Sequence, residues 1–271
     1  MKGSVSCVLT GALAALLCAG SAKGNVWEMS NDGECSASHL HVNDLATFAA
    51  VHEQRLANAA TDYINPGQNG SIRVHGWNNA DVLIKACVQA AAPSDTEAQA
   101  LASQISIAKG PGDIEPSGPA SERDHWWSVS YEVWLPNGSN VDMKAYNGSI
   151  HAENIHGQIR FHTLNGSIHL QDVAGDVEGS TANGSVAIDL AGNASNGGVR
   201  AETTNGSVRL NIPENFSAQV KASTVNGRVH VDFPVTISGE IGRNMSFQIG
   251  SGGPLIEAKT VNGSVHIGRR S

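Results

Sequence analysis

Histidine and arginine side chains recur at one position of a repeated sequence phrase, just after each Asn-Gly turn. The series is Arg73, His151, His169, Ala187, Arg209, His230 and His266. If the repeats stack as neighbouring strands, His151 and His169 lie about 5 Å apart, close enough to share a metal ion or to oppose each other's protonation. No acidic residue keeps the same register, and Ala187 and Arg209 interrupt the histidines. We therefore expect an exposed polar face, with no metal site and no cofactor.

Four tryptophans form a second group of residues that could bind a ligand. Trp77, Trp126, Trp127 and Trp134 could offer flat rings for stacking on sugars. Two of them follow closely on a Gly- and Pro-rich connection at 109–121, which looks like a seam between segments. The position near this seam favours packing over carbohydrate binding.

Catalytic motifs are absent from the sequence. Parallel β-helices include enzymes that cleave polysaccharides, and these need paired carboxylates, or a metal-held carboxylate with a base, on long loops. Repeats of about 18 residues leave no space for such loops, and the insertions at 192–198 and 213–216 bring few acidic residues. Neither Gly-x-Ser-x-Gly nor His-Glu-x-x-His is present. The sequence therefore predicts a protein that is not an enzyme.

The elements that position these side chains are defined by a six-residue phrase, Thr-x-Asn-Gly-Ser-(Ile/Val). Its asparagines, including close variants of the phrase, are Asn147, Asn165, Asn183, Asn205, Asn226 and Asn262. The steps between them are 18, 18, 22, 21 and 36 residues, and because 36 is two steps of 18, we expect another rung at Asn244. A period of this length is typical of a solenoid, in which the asparagine amides would bond from coil to coil as a ladder. The threonines would form a parallel column.

The alternation of apolar and polar residues predicts two short strands in each repeat. Glycines at half the period, such as Gly157 and Gly175, mark a second corner of the coil. We predict an all-β fold, a parallel β-solenoid of about 18 residues per coil. One short helix is expected at 94–105, because Ser94 and Glu97 form a capping box. Asn-Gly between alternating strands is also a hairpin signal, so an antiparallel meander or sandwich is the alternative fold.

The N-terminal residues have the pattern of a secretory signal, with Lys2 before an apolar run that ends in Gly20-Ser21-Ala22. Lipid attachment at Cys18 is disfavoured because bulky Leu16 and Leu17 precede it. We divide the chain into a signal peptide at 1–22, a lead-in at 23–64, an N-terminal β region at 65–125 and a solenoid repeat domain at 126–271. The lead-in could be helical or extended.

Two cysteines, Cys35 and Cys87, are left after removal of the signal peptide. An even number of cysteines in an oxidising compartment favours a disulfide over a metal site or a catalytic thiol. The formal charge of the whole chain is −8, which disfavours a nucleic-acid partner. No later segment approaches the roughly 20 apolar residues of a membrane-spanning helix. We expect an exported protein, periplasmic or exposed at the cell surface, with no transmembrane segment in the mature chain.

Several blocks resemble a bacterial family of β-strand-repeat domains of unknown function that are named putative adhesins. The matching blocks lie at 69–77, 224–234, 239–242, 250–254 and 260–267. The resemblance implies an exported, envelope-associated β-solenoid without established catalytic activity. The expected function is that of a non-catalytic structural or interaction module, whose partner is an unknown envelope protein or polysaccharide. The alternative is a carbohydrate-binding or polysaccharide-cleaving β-helix protein.

Overall fold

The computed structural model describes residues 28–29, 33–35, 44–192, 197–235, 237–238 and 242–270. The expected signal peptide lies outside these residues. Almost all of the regular structure is β-strand, and the strands form two ten-stranded sheets and one two-stranded sheet. The apolar faces of the two long sheets share one hydrophobic core.

Twenty-two strands and one helix follow one another along the described chain. The strands before and around the helix are β1 (Glu28–Met29), β2 (Gly33–Glu34), β3 (Ala46–Ala57), β4 (Asp62–Ile64), β5 (Ile72–Trp77), β6 (Asp81–Ala92), β7 (Asp113–Ile114) and β8 (Trp126–Pro136), with α1 (Asp95–Ser103) between β6 and β7. The strands of the first repeats are β9 (Val141–Asn147), β10 (Ile150–Glu153), β11 (Ile159–Asn165), β12 (Ile168–Val173), β13 (Val177–Asn183), β14 (Val186–Leu190), β15 (Val199–Asn205) and β16 (Val208–Ile212). The remaining strands are β17 (Ala218–Asn226), β18 (Val229–Val231), β19 (Ile237–Ser238), β20 (Asn244–Ile249), β21 (Leu255–Asn262) and β22 (Val265–Arg269).

Each coil of the repeat region places one strand in each long sheet. Sheet 1 has the order β18-β22-β16-β14-β12-β10-β5-β8-β6-β3, and sheet 2 has the order β19-β20-β17-β21-β15-β13-β11-β9-β4-β7. Within the stack of coils all neighbouring strands are parallel. The prediction of an all-β, parallel solenoid is therefore confirmed. The alternative of an antiparallel meander is wrong for the repeats, although antiparallel strands extend sheet 1 beyond β8 and sheet 2 beyond β17.

Strict alternation along the strands builds the core between the sheets. Ile159 and Phe161 on β11 point inward and are buried, and so are Ile168 and Leu170 on β12. The intervening residues face solvent, as expected for strands that are covered on one side only. The repeated sequence therefore encodes one inner and one outer face in every coil.

The predicted helix is present as α1. Ser94 is its N-cap, and its hydroxyl accepts a hydrogen bond from the backbone N–H of Glu97 at 3.3 Å. The buried residues Ala98, Leu101 and Ala102 face the neighbouring strands β6 and β3. No helix among the described residues combines the length and apolar character needed to cross a membrane.

The stack of coils begins before the repeats that are obvious in the sequence. Strand β5 lies between β8 and β10 in sheet 1, and Asn69 forms an isolated parallel bridge with Asn147. The segments expected at 65–125 and 126–271 therefore share the same sheets. In the lead-in, the described part from residue 44 is extended, because the twelve residues of β3 form the outermost strand of sheet 1.

Cys35 and Cys87 form the predicted disulfide, with their Cα atoms 5.2 Å apart. Cys87 lies in the middle of β6. The bond therefore ties the N-terminal segment that contains β1 and β2 to sheet 1.

Asparagine amides stack along the turns of the solenoid. The Nδ2 of each asparagine donates to the Oδ1 of the preceding one in the stack, over 2.8–3.0 Å. The order along the stack is Asn69, Asn147, Asn165, Asn183, Asn205, Asn262 and Asn226. Asn69 thus extends the ladder by one rung beyond the asparagines that the phrase predicts.

Asn244 is not a rung of this ladder, contrary to the sequence expectation. It begins β20, which pairs antiparallel with β17 and places Asn244 opposite Ser223. The long step of 36 residues arises because β19 and β20 form an antiparallel cap on sheet 2 before the chain resumes the repeat. The last coil, β21–β22, then inserts between the coils β15–β16 and β17–β18, so Asn262 lies on Asn205.

The threonine of the repeated phrase forms a hydrogen bond between each coil and its neighbour. Every Thr Oγ1 donates to the carbonyl oxygen of the turn glycine in the adjacent coil, at 2.7–3.0 Å. The pairs are Thr163–Gly148, Thr181–Gly166, Thr203–Gly184, Thr260–Gly206 and Thr224–Gly263. All five threonines are buried, so these hydrogen bonds satisfy hydroxyls that would otherwise be desolvated without a partner.

The turn glycines are required by the close approach of successive coils. A Cβ atom on Gly166 would lie 2.1 Å from the carbonyl oxygen of Gly148. The serine that follows also bonds between coils, as where the N–H of Ser207 donates to the Oγ of Ser185 at 3.2 Å. All three residues of Asn-Gly-Ser therefore serve the stacking.

Substituting Gly166 by alanine tests this constraint. We expect Gly166→Ala to lower the free energy of unfolding by about 3 kcal/mol, because the new methyl group overlaps backbone that cannot move without breaking the ladder. Gly138→Ala is the matched control, since a Cβ there meets nothing within 4 Å, and its effect should stay within about 0.5 kcal/mol. Urea unfolding followed by circular dichroism measures both values. Equal stability of the two variants would contradict the close-approach explanation.

A carboxyl group in the first coil is buried without a hydrogen-bond partner. Asp62 on β4 is 1 % exposed, and among the described residues neither of its carboxylate oxygens has a partner. Burial raises the pKa of Asp62 from 3.8 to about 6. Because the folded-state pKa lies above the unfolded one, the native state takes up a proton between pH 6 and pH 4 and gains stability as the pH falls through this window.

Asp62→Asn should remove this pH dependence. Relative to the wild type, we expect the variant to become more stable by about 3 kcal/mol between pH 4 and pH 8, because the wild type carries a buried charge only at the higher pH. Denaturant unfolding of both proteins at pH 4, 6 and 8 measures the difference. At pH 4 the carboxyl group of Asp62 is protonated in the native wild type, so the difference in stability at this pH measures the effect of replacing a neutral carboxyl group by an amide. A stability gap that stays constant with pH would show that the carboxyl is solvated.

Candidate functional site

Straight rows of side chains cover the outer face of sheet 1, because its parallel strands are in register. One row contains Arg73, His151, His169, Ala187, Arg209, His266 and His230, in that spatial order. Its first members appear in sequence order, but His266 lies between Arg209 and His230 because the last coil is inserted there. The row therefore has a histidine pair near each end.

The first pair consists of His151 and His169, on β10 and β12. Their ring centroids are 5.9 Å apart and the rings meet edge to face. Together with Arg73, Glu153 and Gln171 they line a shallow groove of about 270 Å³. The groove is polar, and no acidic side chain lies in register between the two histidines.

A neighbouring histidine, His75, is held between two carboxylates. Its Nδ1 lies 2.7 Å from Glu153 Oε1, and its Nε2 lies 2.9 Å from Glu132 Oε1. Burial by itself lowers the pKa of His75, but the hydrogen bonds to both glutamates outweigh it, so the pKa is raised. The protonated imidazole can donate both of its N–H groups here. One imidazolium therefore bridges two carboxylates across three strands.

Two of the four tryptophans are covered by charged side chains of the same face. The ring of Trp134 stacks on His75 at a centroid distance of 5.0 Å, and Lys85 Nζ lies 5.3 Å from its centroid. Trp77 donates from Nε1 to the carbonyl oxygen of Asp81 at 3.0 Å, and the guanidinium of Arg55 lies 5.7 Å from its ring. Both tryptophans act as packing residues, and cation–π contacts stabilise them.

The other two tryptophans, Trp126 and Trp127, line a cleft of about 480 Å³ beside the first turn of the solenoid. Trp127 is oriented by a hydrogen bond from its Nε1 to the carbonyl oxygen of Pro119, at 2.8 Å. The polar part of its lining, called the polar wall below, includes Asn65, Gln68 and Glu115. Flat aromatic rings facing amide and carboxylate groups are a combination suited to a polyhydroxylated ligand.

The polar wall of this cleft is held by its own hydrogen bonds. Asn65 Nδ2 donates to Glu115 Oε1 at 2.8 Å, and Lys109 Nζ bonds to the other carboxylate oxygen. Lys109 holds the pKa of Glu115 below its usual range. Glu115 is therefore a negatively charged hydrogen-bond acceptor at neutral pH, and it is oriented before any ligand arrives.

The second histidine pair has an acidic neighbour. His230 Nε2 lies 2.9 Å from Asp232 Oδ1, and His266 Nε2 lies 2.8 Å from Asp232 Oδ2. Donor atoms of the three side chains all lie within 4.8 Å of one another. The contact with His266, and to a smaller extent the one with His230, lowers the pKa of Asp232. Of the residues that the structure describes, these three form the one cluster with the composition and spacing of a metal site.

The repeat pattern does not predict this cluster, because in chain order a further coil, centred on Asn244, would separate His230 from His266. Asp232 also lies outside the repeated position that defines the row. The signal available in the sequence was the His-x-Asp spacing at 230–232, which puts both side chains on one face of a strand.

Comparisons with known proteins give one family match and remote structural likenesses. The family model described as Toastrack DUF4097 matches residues 30–268. A putative cell adhesion protein from Clostridium sporogenes shares 14 % identity, with 82 % of this chain and 100 % of that chain covered and a TM-score of 0.47. A putative adhesin from Bacteroides fragilis also shares 14 % identity, with 82 % and 97 % covered and a TM-score of 0.37.

A third solved structure, described as a putative lipid binding protein from Parabacteroides distasonis, shares 9 % identity over 81 % of this chain and 96 % of that chain, with a TM-score of 0.32. These structural likenesses are too remote to carry a functional argument. None of the curated proteins matches the chain. The family model, in contrast, spans most of the sequence and confirms the resemblance that the repeated blocks indicated. The chain belongs to the Toastrack DUF4097 family.

Proposed function

We propose that this protein is a non-catalytic interaction module of the bacterial cell envelope. The observation that carries the proposal is the use of the repeated residues. The Asn, Gly, Ser and Thr side chains or backbones of each coil are engaged in bonds to the next coil. The repeats therefore build a stiff support, and binding is left to the outer rows and to the cleft at its first turn.

Export is supported by the N-terminal sequence and by the disulfide. Residues 1–22 have the charge, apolar run and small-residue ending of a secretory signal. The Cys35–Cys87 bond is of a kind that persists in oxidising compartments. The periplasm or the cell surface satisfies both observations.

The bonding of the acidic residues supports a non-catalytic role. Glu132 and Glu153 are bonded to His75, and Glu115 is bonded to Lys109 and Asn65. Cleavage of a glycosidic bond needs one carboxyl group with a raised pKa as the general acid, whereas the pKa of Glu115 is lowered. The arrangement suits recognition better than proton transfer.

The location can be tested by fractionating the bacterium that encodes the protein. We expect the protein in the envelope or periplasmic fraction, with an intact mass that corresponds to a chain beginning near Lys23. The expected chain also carries one disulfide, which is seen as a mass increase of about 2 Da on reduction. Recovery from the cytoplasm with Met1 still present would contradict the proposal.

A second candidate function is carbohydrate binding, and the cleft lined by Trp126 and Trp127 is the observation that favours it. A glycan array of bacterial envelope polysaccharides, with a parallel assay for reducing sugars, tests this candidate. We expect binding without sugar release, and a loss of affinity of about five- to thirtyfold in Trp126→Ala, because one stacking ring contributes on the order of 1–2 kcal/mol.

Trp77→Ala is the matched control, because Trp77 belongs to the same sheet but is covered by Arg55. Its glycan binding should equal that of the wild type. Binding that survives in Trp126→Ala would exclude the cleft as the sugar site. Release of reducing sugar by the wild type would instead overturn the non-catalytic role.

A further inference from the structure

The histidine–aspartate cluster lies near the free edge of sheet 1, where the last coil has been inserted. His230 belongs to β18, the outermost described strand at this end of the sheet, and His266 belongs to the adjacent β22. Parallel pairing in register sets the two rings side by side, with centroids 4.9 Å apart. Asp232 follows β18 by one residue and lies on the same face as His230.

Donor atoms of the three side chains lie within 4.8 Å of one another. The two Nε2 atoms approach different oxygens of the same carboxylate, at 2.9 and 2.8 Å. A salt bridge needs only one of these contacts, whereas a bound cation needs all three groups at once. The side chains are 68 %, 34 % and 41 % exposed for His230, His266 and Asp232, so solvent can reach the point between them.

The backbone around Asp232 is fixed from two sides. Its N–H donates to the carbonyl oxygen of Ile267 at 2.9 Å. Its own carbonyl oxygen accepts from Arg269 Nε at 3.1 Å. Asp232 is therefore anchored to β22, the strand that carries His266, although it lies beyond the last paired residue of β18.

A glycine keeps space open beside the cluster. Gly268 lies two residues after His266 and faces the same side of β22. A Cβ atom at this position would lie 2.9 Å from Asn211 Oδ1, 3.2 Å from His266 Nε2 and 3.4 Å from Asp232 Oδ2. Any larger side chain would crowd the two donor atoms, so the absence of one keeps the approach to them open.

We propose that His230, Asp232 and His266 bind one Zn²⁺ ion through two imidazole nitrogens and one carboxylate oxygen. Two imidazoles and a carboxylate suit zinc and its first-row neighbours, whereas Ca²⁺ and Mg²⁺ select sites made of oxygen atoms. Zinc bonds to these ligands at about 2.0–2.2 Å, and the ion replaces the protons that now lie between the rings and the carboxylate. The fourth position of a tetrahedral site then faces solvent, where water or a donor group of a partner can occupy it.

The other histidine pair of the same row provides an internal comparison. His151 and His169 also lie on adjacent strands, but their centroids are 5.9 Å apart, and among the described residues no carboxylate completes a three-ligand group with them. Ala187 and Arg209 separate the two pairs along the row. The ion is therefore assigned to the end of the row that contains His230 and His266. This assignment revises the expectation of no metal site, which was based on His151 and His169.

Calorimetric titration of the untagged protein with ZnCl₂ tests the assignment. We expect one ion per chain with a dissociation constant of about 10 μM or tighter, and no binding of CaCl₂ or MgCl₂ in the same range. Asp232→Asn and His266→Ala should each weaken zinc binding at least tenfold. The double variant His151→Ala/His169→Ala should bind zinc as the wild type does.

Cobalt gives a second readout that reports the ligands directly. Co²⁺ in place of Zn²⁺ should produce visible d–d absorption bands in the wild type and in the double variant, but not in His266→Ala. Circular dichroism spectra and melting temperatures without metal confirm that each variant is folded. Asp232→Asn is the mild substitution, since an amide of the same shape keeps the backbone contacts.

The assignment is overturned if zinc binds only in the millimolar range, or if Asp232→Asn and His266→Ala bind it as tightly as the wild type. Loss of binding in His151→Ala/His169→Ala would also overturn it, by placing the ion at the other pair. Each of these results leaves the interaction-module proposal untouched, because that proposal rests on the solenoid and the cleft.

Discussion

At each Asn-Gly-Ser turn the backbones of successive coils lie so close together that a single Cβ atom does not fit between them. The buried threonine beside the turn donates to the glycine carbonyl of the neighbouring coil, and the asparagine amide bonds to its counterpart. These contacts fix both the distance between coils and their register. A shift of one residue would break all of them together and would turn the apolar residues outward.

The fixed register of the strands determines which side chains lie next to each other on the outer face of sheet 1. Side chains at equivalent positions lie about 5 Å apart whether or not their charges are compatible, and each local group is a combination of neighbours from different coils. His75 meets Glu132 from β8 on one side and Glu153 from β10 on the other. The cluster around Asp232 arises in the same way, from two strands that are distant in sequence. The turns and the core are repeated from coil to coil, whereas the outer side chains differ from one coil to the next.

Much of the architecture could be predicted because it depends on local sequence patterns. The period of the repeated phrase predicts the length of a coil, and the alternation of apolar and polar residues predicts which side of each strand is buried. Ser94 and Glu97 predict where the helix begins. The order of the last coils could not be predicted, because the phrase around Asn262 fits against any other copy of itself. Asn205 accepts a hydrogen bond from Asn262, where chain order would predict Asn226. The antiparallel cap formed by β19 and β20 does not contain the repeated phrase, and the period alone therefore predicts a rung at Asn244 that the structure does not have.

Insertion of β21–β22 between two earlier coils also has a kinetic consequence. Three consecutive rungs join residues 18 or 22 positions apart, so each can close between neighbouring copies of the phrase. The rung from Asn262 to Asn205 spans 57 positions, and closing so long a loop costs more entropy. The coil β17–β18 can therefore join the stack only after β21–β22 has folded, and until then one of its hydrogen-bonding edges is unpaired. This end of the stack forms later than the middle, where coils that are neighbours in space are also neighbours in the sequence.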